Sequence, residues 1–233
     1  LLFAKRLQRR ILPKGGIYDN LKIDYLYKPS EMLSGDIFDI FYIDEDNIGI
    51  YICDVVGHGI TASMMTMFVR QTMRAIRHDI LSPARALEQL HQRFITLDLG
   101  VDKYFTIFYA IYNIKDRNFK YSNAGHNCIP IKYNSNEFSL LKTNGFPISL
   151  IFNEINYKEN EINLNTGDKI LLYTDGITEV KNIDGEEFGM ERVIEIIKEN
   201  KENVLNKIVE NVENFRWGDQ EDDFAMVLME ILE

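Results

Sequence analysis

Apolar and polar positions alternate through two neighbouring runs, DIFDIFY at 36–42 and NIGIYICDV at 47–55, with the polar stretch IDED between them. Alternation at period two around a short polar loop predicts a β-hairpin. With Tyr42 opposite Ile48, Ile40 faces Ile50, Phe38 faces Ile52 and Asp36 faces Asp54. Such a pair brings two carboxylates to roughly 5 Å at Cβ. They repel unless one holds a proton or a cation lies between them, so the hairpin predicts a metal site. A slip of one residue would put the two side chains on opposite faces.

The rest of the chain is a layered α+β pattern. Residues 1–16 read as a helix with Leu1, Leu2, Leu7 and Ile11 on an apolar side, closed by Pro13 and the Gly15-Gly16 pair. A strand is expected at 21–27. Residues 60–77 turn helical, with Ile60, Met64, Phe68 and Ala75 near one face, and Gly57 and Gly59 allow the sharp entry. Ser82-Pro83 reads as an N-cap with proline at the first helical position, followed by Leu87, Leu90, Phe94 and Leu97. From 103 to 141 the text becomes β, YFTIFYAIYN, NFKYSNAG, IPIKY and EFSLL, and predicts an antiparallel meander. Further strands are expected at 169–174 and 224–232, with helices at 190–199 and 204–215 between them.

Composition narrows the function. A chain of 233 residues, 45% hydrophobic, is ample for one large core. Thirty-six acidic residues against 26 basic give a net charge of −10, which disfavours nucleic acid or an anionic membrane surface as partner. Cys53 and Cys128 lie in apolar runs outside any ligand-spaced group and read as buried, reduced thiols of a cytoplasmic protein. No apolar run nears the ~18 residues that span a bilayer. The chain opens on Leu1, so it reads as a piece of a longer protein, one whose other parts leave room for a membrane tether.

Four segments place carboxylates at strand ends: Asp36 before a strand, Asp54 and Asp175 after strands, and Asp222-Asp223 before the last one. Antiparallel neighbours put the end of one strand beside the start of the next, so all four segments are expected at one rim. Hard oxygen ligands without histidine or cysteine favour Mg²⁺ or Mn²⁺ over zinc.

The ordered motifs SGDIFD, DVVGHGITA, TIFYAIYN, SNAGHN, GDKILLYTDGITEVKNIDGEEFGMER and DDFAMVLME resemble the metal-dependent protein phosphatases of the type-2C (PPM) superfamily, and most of all its bacterial SpoIIE/RsbU branch. The resemblance runs from about Ile11 to the end. It implies a four-layer α-β-β-α sandwich of two antiparallel sheets flanked by helices, with residues 17–233 as the phosphatase domain. Residues 1–16 would then be a linker helix from an upstream sensor or receiver domain, with pairing into a homodimer left open. The implied cofactors are two Mn²⁺ or Mg²⁺ ions held by Asp36, Asp54, the Val55 carbonyl, Asp175 and Asp222, with Asp54 bridging them. Asp223 is the alternative to Asp222, and Asp39 is an outer-shell candidate or a charge on the hairpin's other face. A metal-activated water would attack phosphorus. His58 is a candidate proton donor, with shaping of the strand-to-helix turn as its alternative role; His126 is assigned a structural hydrogen-bonding role.

The implied substrate is a phosphoserine or phosphothreonine on a regulatory protein, such as an anti-sigma-factor antagonist in a partner-switching pathway. Ala225 departs from the family pattern, which has a small hydroxyl residue there, and Asn113 stands where many relatives carry aspartate. Two other readings remain in view: a catalytically weak scaffold or sensor domain with the same fold, and an ATP-binding kinase-like module suggested by DVVGHG. The second lacks a companion asparagine-bearing helix and a GxxxxGK[ST] loop.

Overall fold

The structure, a computed structural model, describes residues 1–77, 80–200 and 202–233. The hairpin forms as its alternation requires. Strands β3 (Asp36–Tyr42) and β4 (Asn47–Val55) pair antiparallel with Asp36 opposite Asp54, Phe38 opposite Ile52 and Tyr42 opposite Ile48. They lie at one edge of a sheet that continues through β5 (Tyr104–Asn113) and β6 (Asn118–Ala124) to β10 (Glu159–Asn163), with β9 (Ile148–Ser149) beside β5. The second sheet runs β1 (Gly16–Tyr18), β2 (Leu21–Lys28), β12 (Phe224–Ile231), β11 (Lys169–Tyr173), β7 (Ile131–Tyr133) and β8 (Phe138–Leu140). All pairings in both sheets are antiparallel.

Three apolar layers hold the elements together. Phe38, Ile50, Ile52 and Phe108 of the first sheet meet Ile170, Leu172, Val227 and Met229 of the second. The outer face of the first sheet is covered by α2 (Gly59–Ile76) and α3 (Pro83–Ile95), through Met65, Val69, Leu87, Leu90 and Phe94. The second is covered by α5 (Gly189–Glu199) and α6 (Val204–Phe215), through Ile196, Ile197, Ile208 and Val212. The result is the expected α-β-β-α sandwich. Ser82 caps α3 by accepting the Arg85 amide, with Pro83 in the first turn, as the sequence predicts.

Several local expectations are corrected. The 103–141 segment is no meander: β5 and β6 pair, but the chain then crosses to the other sheet, where β7 pairs with β8 and β11. The buried face of α2 is Ala62, Met65, Val69, Met73 and Ile76, whereas Ile60 and Met64 are exposed. Adjacent methionines made the two faces look alike in sequence. Helix α1 (Leu2–Ile11) likewise turns Leu2 and Leu7 outward and buries Gln8, whose side-chain amide donates to the Ser34 carbonyl and accepts the Ser34 N–H. That pair satisfies both ends of a buried amide, which apolar packing alone would leave costly.

Candidate metal centre

The two sheets bring four strand ends to one rim of the sandwich. Asp36 opens β3 beside Asp54 near the end of β4; Asp175 follows β11 as the first residue of the single helical turn α4 (Asp175–Thr178); Asp222 and Asp223 precede β12, the neighbour of β11. The sheets are tied together here by Thr174. Its hydroxyl donates to Asp36 Oδ2 at 2.7 Å and accepts the Ala225 N–H at 3.0 Å. A hydroxyl has one proton, so the short contact to Asp36 fixes that carboxylate's rotamer from across the sandwich.

The cluster is electrostatically unfavourable as it stands. Burial, and then the charge of Asp54, push Asp36 well above the usual carboxylate range. Asp54 is pushed up to about 8 by burial and by Asp175, Asp222 and Asp223. Burial, Asp222 and Glu179 raise Asp175 to about 6. Asp222 stands at the solvent-facing rim, and its partial desolvation raises it too, opposed by the Asp223 amide and by nearby His58. Hard oxygen donors that raise one another's affinity for a positive charge fit a divalent cation of the Mg²⁺ or Mn²⁺ kind. Among the described residues no three such side chains are already drawn into a closed ligand cage.

The structure separates the remaining candidates. Asp223 is buried and satisfied: Oδ1 accepts the Ser30 N–H at 2.7 Å and its hydroxyl at 3.1 Å, and Oδ2 accepts the Gly35 N–H at 2.7 Å. It anchors the loop before β3, while Asp222 faces the cleft. Asp39 lies on the opposite face of β3, fully buried, where Arg74 grips it at 2.6 and 2.9 Å and Arg70 stands at 3.5 Å. It stands outside the carboxylate cluster. Val55 lines the cleft, and its carbonyl and that of Gly57 both lie 3.0 Å from where a Cβ on Gly35 would sit, so a side chain there would crowd both oxygens. His58, at the N-cap of α2, is largely exposed and contacts Glu31 at 3.0 Å.

His126 is buried between the sheets, with one ring nitrogen on the Thr106 hydroxyl at 3.1 Å and the other donating to the Tyr173 carbonyl at 2.9 Å. Burial lowers it to about 4, so the ring is neutral at pH 7. Thr106 pairs with Asp54 and Tyr173 lies two residues before Asp175, so the imidazole braces both strands. Glu179 and Thr174 were missed from sequence. The signal for Glu179 was its i+4 spacing from Asp175; that for Thr174 was a hydroxyl next to a strand-terminal carboxylate. Cys53 and Cys128 are buried free thiols, as expected.

This architecture is that of the PP2C phosphatase domains. The SiaA-PP2C domain of Pseudomonas aeruginosa superposes with a TM-score of 0.83 at 20% identity, over 99% of this chain and 95% of that one. Sequence comparison narrows the class: the family model described as Stage II sporulation protein E (SpoIIE) matches residues 44–232, and the chain belongs to that family. It is 30% identical over 180 residues to the phosphoserine phosphatase RsbP of Bacillus subtilis (strain 168), covering 76% of this chain and 44% of the relative. To the phosphoserine phosphatase RsbU of the same organism it is 28% identical over 215 residues, covering 90% and 63%. The chain thus spans less than two thirds of the length of either relative.

Proposed function

We propose that this chain is a metal-dependent protein serine/threonine phosphatase domain that hydrolyses phosphoserine or phosphothreonine on a regulatory protein. The observation that carries the reading is the convergence of Asp36, Asp54, Asp175 and Asp222 from two sheets at one rim, where burial and neighbouring carboxylates raise their pKa values. Two curated relatives named as phosphoserine phosphatases support it. Asp36, Asp54 and the Val55 carbonyl would hold one Mn²⁺ or Mg²⁺, and Asp54, Asp175 and Asp222 a second. Bound there, such a pair lowers the pKa of water and neutralises phosphoryl oxygens.

The chain's own groups do the positioning. Thr174 holds Asp36, His126 ties β5, the neighbour of the strand that carries Asp54, to β11, which leads into Asp175, and Asp223 fixes the loop that leads into β3. His58, near Asp222, is the candidate donor of a proton to the leaving serine or threonine oxygen, with shaping of the strand-to-helix turn as its alternative role. A phosphorylated anti-sigma-factor antagonist is the substrate class that the family resemblance favours, and α1 is the segment that would join an upstream sensor or receiver domain or pair with a second copy. A cytoplasmic setting suits both. Among the described residues no helix is long and apolar enough to cross a membrane.

The test is phosphate release from p-nitrophenyl phosphate and from a phosphoserine peptide, with Mn²⁺ or Mg²⁺ and with EDTA, for the protein and for Asp54→Asn. Metal-dependent turnover abolished by chelator and by the substitution is expected. Bound Mn²⁺ with no turnover of either substrate, even with an activating partner, would favour the scaffold reading.

A further inference from the structure

The carboxylate cluster opens into a cleft of about 710 Å³, far more room than a phosphate needs. Ile183 and Trp217 line this same cleft, and both are strongly exposed, at 66% and 68%. Scattered exposed apolar residues are ordinary on a protein surface. These two differ in that the backbone carrying each is tied down by hydrogen bonds. Ile183 sits on a turn in which Asn182 Oδ1 accepts the Asp184 and Glu186 amides at 3.0 and 2.9 Å, and the Gly185 amide donates to the Asn182 carbonyl at 3.0 Å. Lys181 and Glu187 close the turn as a β-bridge, and the Trp217 amide donates to the Lys181 carbonyl at 3.0 Å. The turn and the segment after α6 therefore form one preorganised wall, which spares a bound partner the cost of ordering it.

We infer that Ile183 and Trp217 form a specificity subsite that receives an apolar side chain flanking the phosphoserine of the protein substrate. The inference rests on the phosphatase reading: a phosphoserine that reaches the aspartates must lay its neighbouring residues along the cleft walls. Glu179, Asp219 and Glu221, with the cluster's own aspartates, outweigh Lys181 and Arg216 along the same cleft and disfavour an acidic flank, while the apolar surfaces of Ile183 and Trp217 are what select an apolar neighbour. Tryptophan is the side chain most suited to anchor such a contact.

The experiment compares two phosphoserine peptides, one with leucine on both sides of the phosphoserine and one with aspartate, against the protein, Trp217→Ala and Ile183→Ala in Mg²⁺ buffer. For the unsubstituted protein, kcat/KM is expected to favour the leucine peptide by about 10-fold or more, and each variant to shrink that ratio. Trp217 is the chain's single tryptophan, so its emission should shift to the blue with the leucine peptide and stay put with the aspartate peptide. Equal kcat/KM for the two peptides, or a preference that survives both substitutions, overturns the subsite while p-nitrophenyl phosphate turnover leaves the phosphatase intact. Absence of metal-dependent turnover on every substrate removes the phosphatase reading and the subsite with it.

Discussion

Gly176 is the tightest point of the candidate centre. A Cβ built on it would lie 1.9 Å from the Asp223 carbonyl oxygen, 2.9 Å from its carbon and 3.3 Å from the Phe224 ring. The glycine is not in the left-handed region, so Gly176→Ala is a steric perturbation and leaves the torsions acceptable. Both contacting atoms of Asp223 are backbone, and relief requires α4 and the start of β12 to part by about 1 Å. Asp175 rides on one side of that gap and Asp222 on the other.

Overpacking of this kind costs about 1–3 kcal/mol. For a domain of this size that is a fall in Tm of roughly 2–12 °C. A misplacement of about 1 Å between groups that act together costs about 100-fold in rate. The measurements are thermal denaturation, Mn²⁺ titration by calorimetry, and kcat/KM on p-nitrophenyl phosphate. A folded variant with Mn²⁺ affinity weakened about 10-fold or more and turnover down about 100-fold is expected. Unchanged Tm, Mn²⁺ affinity and rate would refute the argument that this contact sets the spacing of the two carboxylates.

Thr174→Val leaves Asp36 Oδ2 and the Ala225 N–H without the bridging hydroxyl, with an expected loss of about 1–3 kcal/mol in urea denaturation; Thr174→Ser should recover most of it. Arg74→Met leaves the fully buried Asp39 with Arg70 at 3.5 Å, and should cost about 3 kcal/mol, whereas Mn²⁺ affinity should hold, because Asp39 lies outside the cluster. The metal-free protein should lose stability as pH rises. Carboxyls whose pKa is raised on folding bind protons more tightly in the native state, so their penalty begins near the unfolded value of about 4 and grows until the folded values are passed, about 6 for Asp175 and about 8 for Asp54. His126, lowered to about 4, opposes this below about pH 6.5, so the clearest fall of Tm in EDTA is expected between about pH 6.5 and pH 8, and saturating Mg²⁺ should flatten or reverse it; a metal-free Tm that rises across that range would contradict the assigned shifts.

Much of the centre was legible because its signals are local. Strand alternation set the hairpin register and so the Asp36 and Asp54 pairing, and the carboxylates at strand ends pointed to a common rim. What could not be read depends on partners far away in the chain. Asp223 and Asp222 are adjacent, and only Ser30 and Gly35, more than 180 residues back, separate the buried anchor from the cleft-facing group. The same holds for Asp39, whose role is decided by Arg74 on α2. The asparagine-rich strand β10 escaped notice because its residues are mostly exposed and carry no apolar alternation. The crossing of the chain between sheets after β6 is a tertiary choice that a run of similar strands does not encode.

The Gln8 side chain links α1 to the hairpin. It grips both backbone groups of Ser34, whose hydroxyl in turn accepts the Asp36 amide. A continuous hydrogen-bonded path thus runs from α1 through Ser34 to the backbone of the first residue of β3, and Gln8→Ala would cut it at its first link.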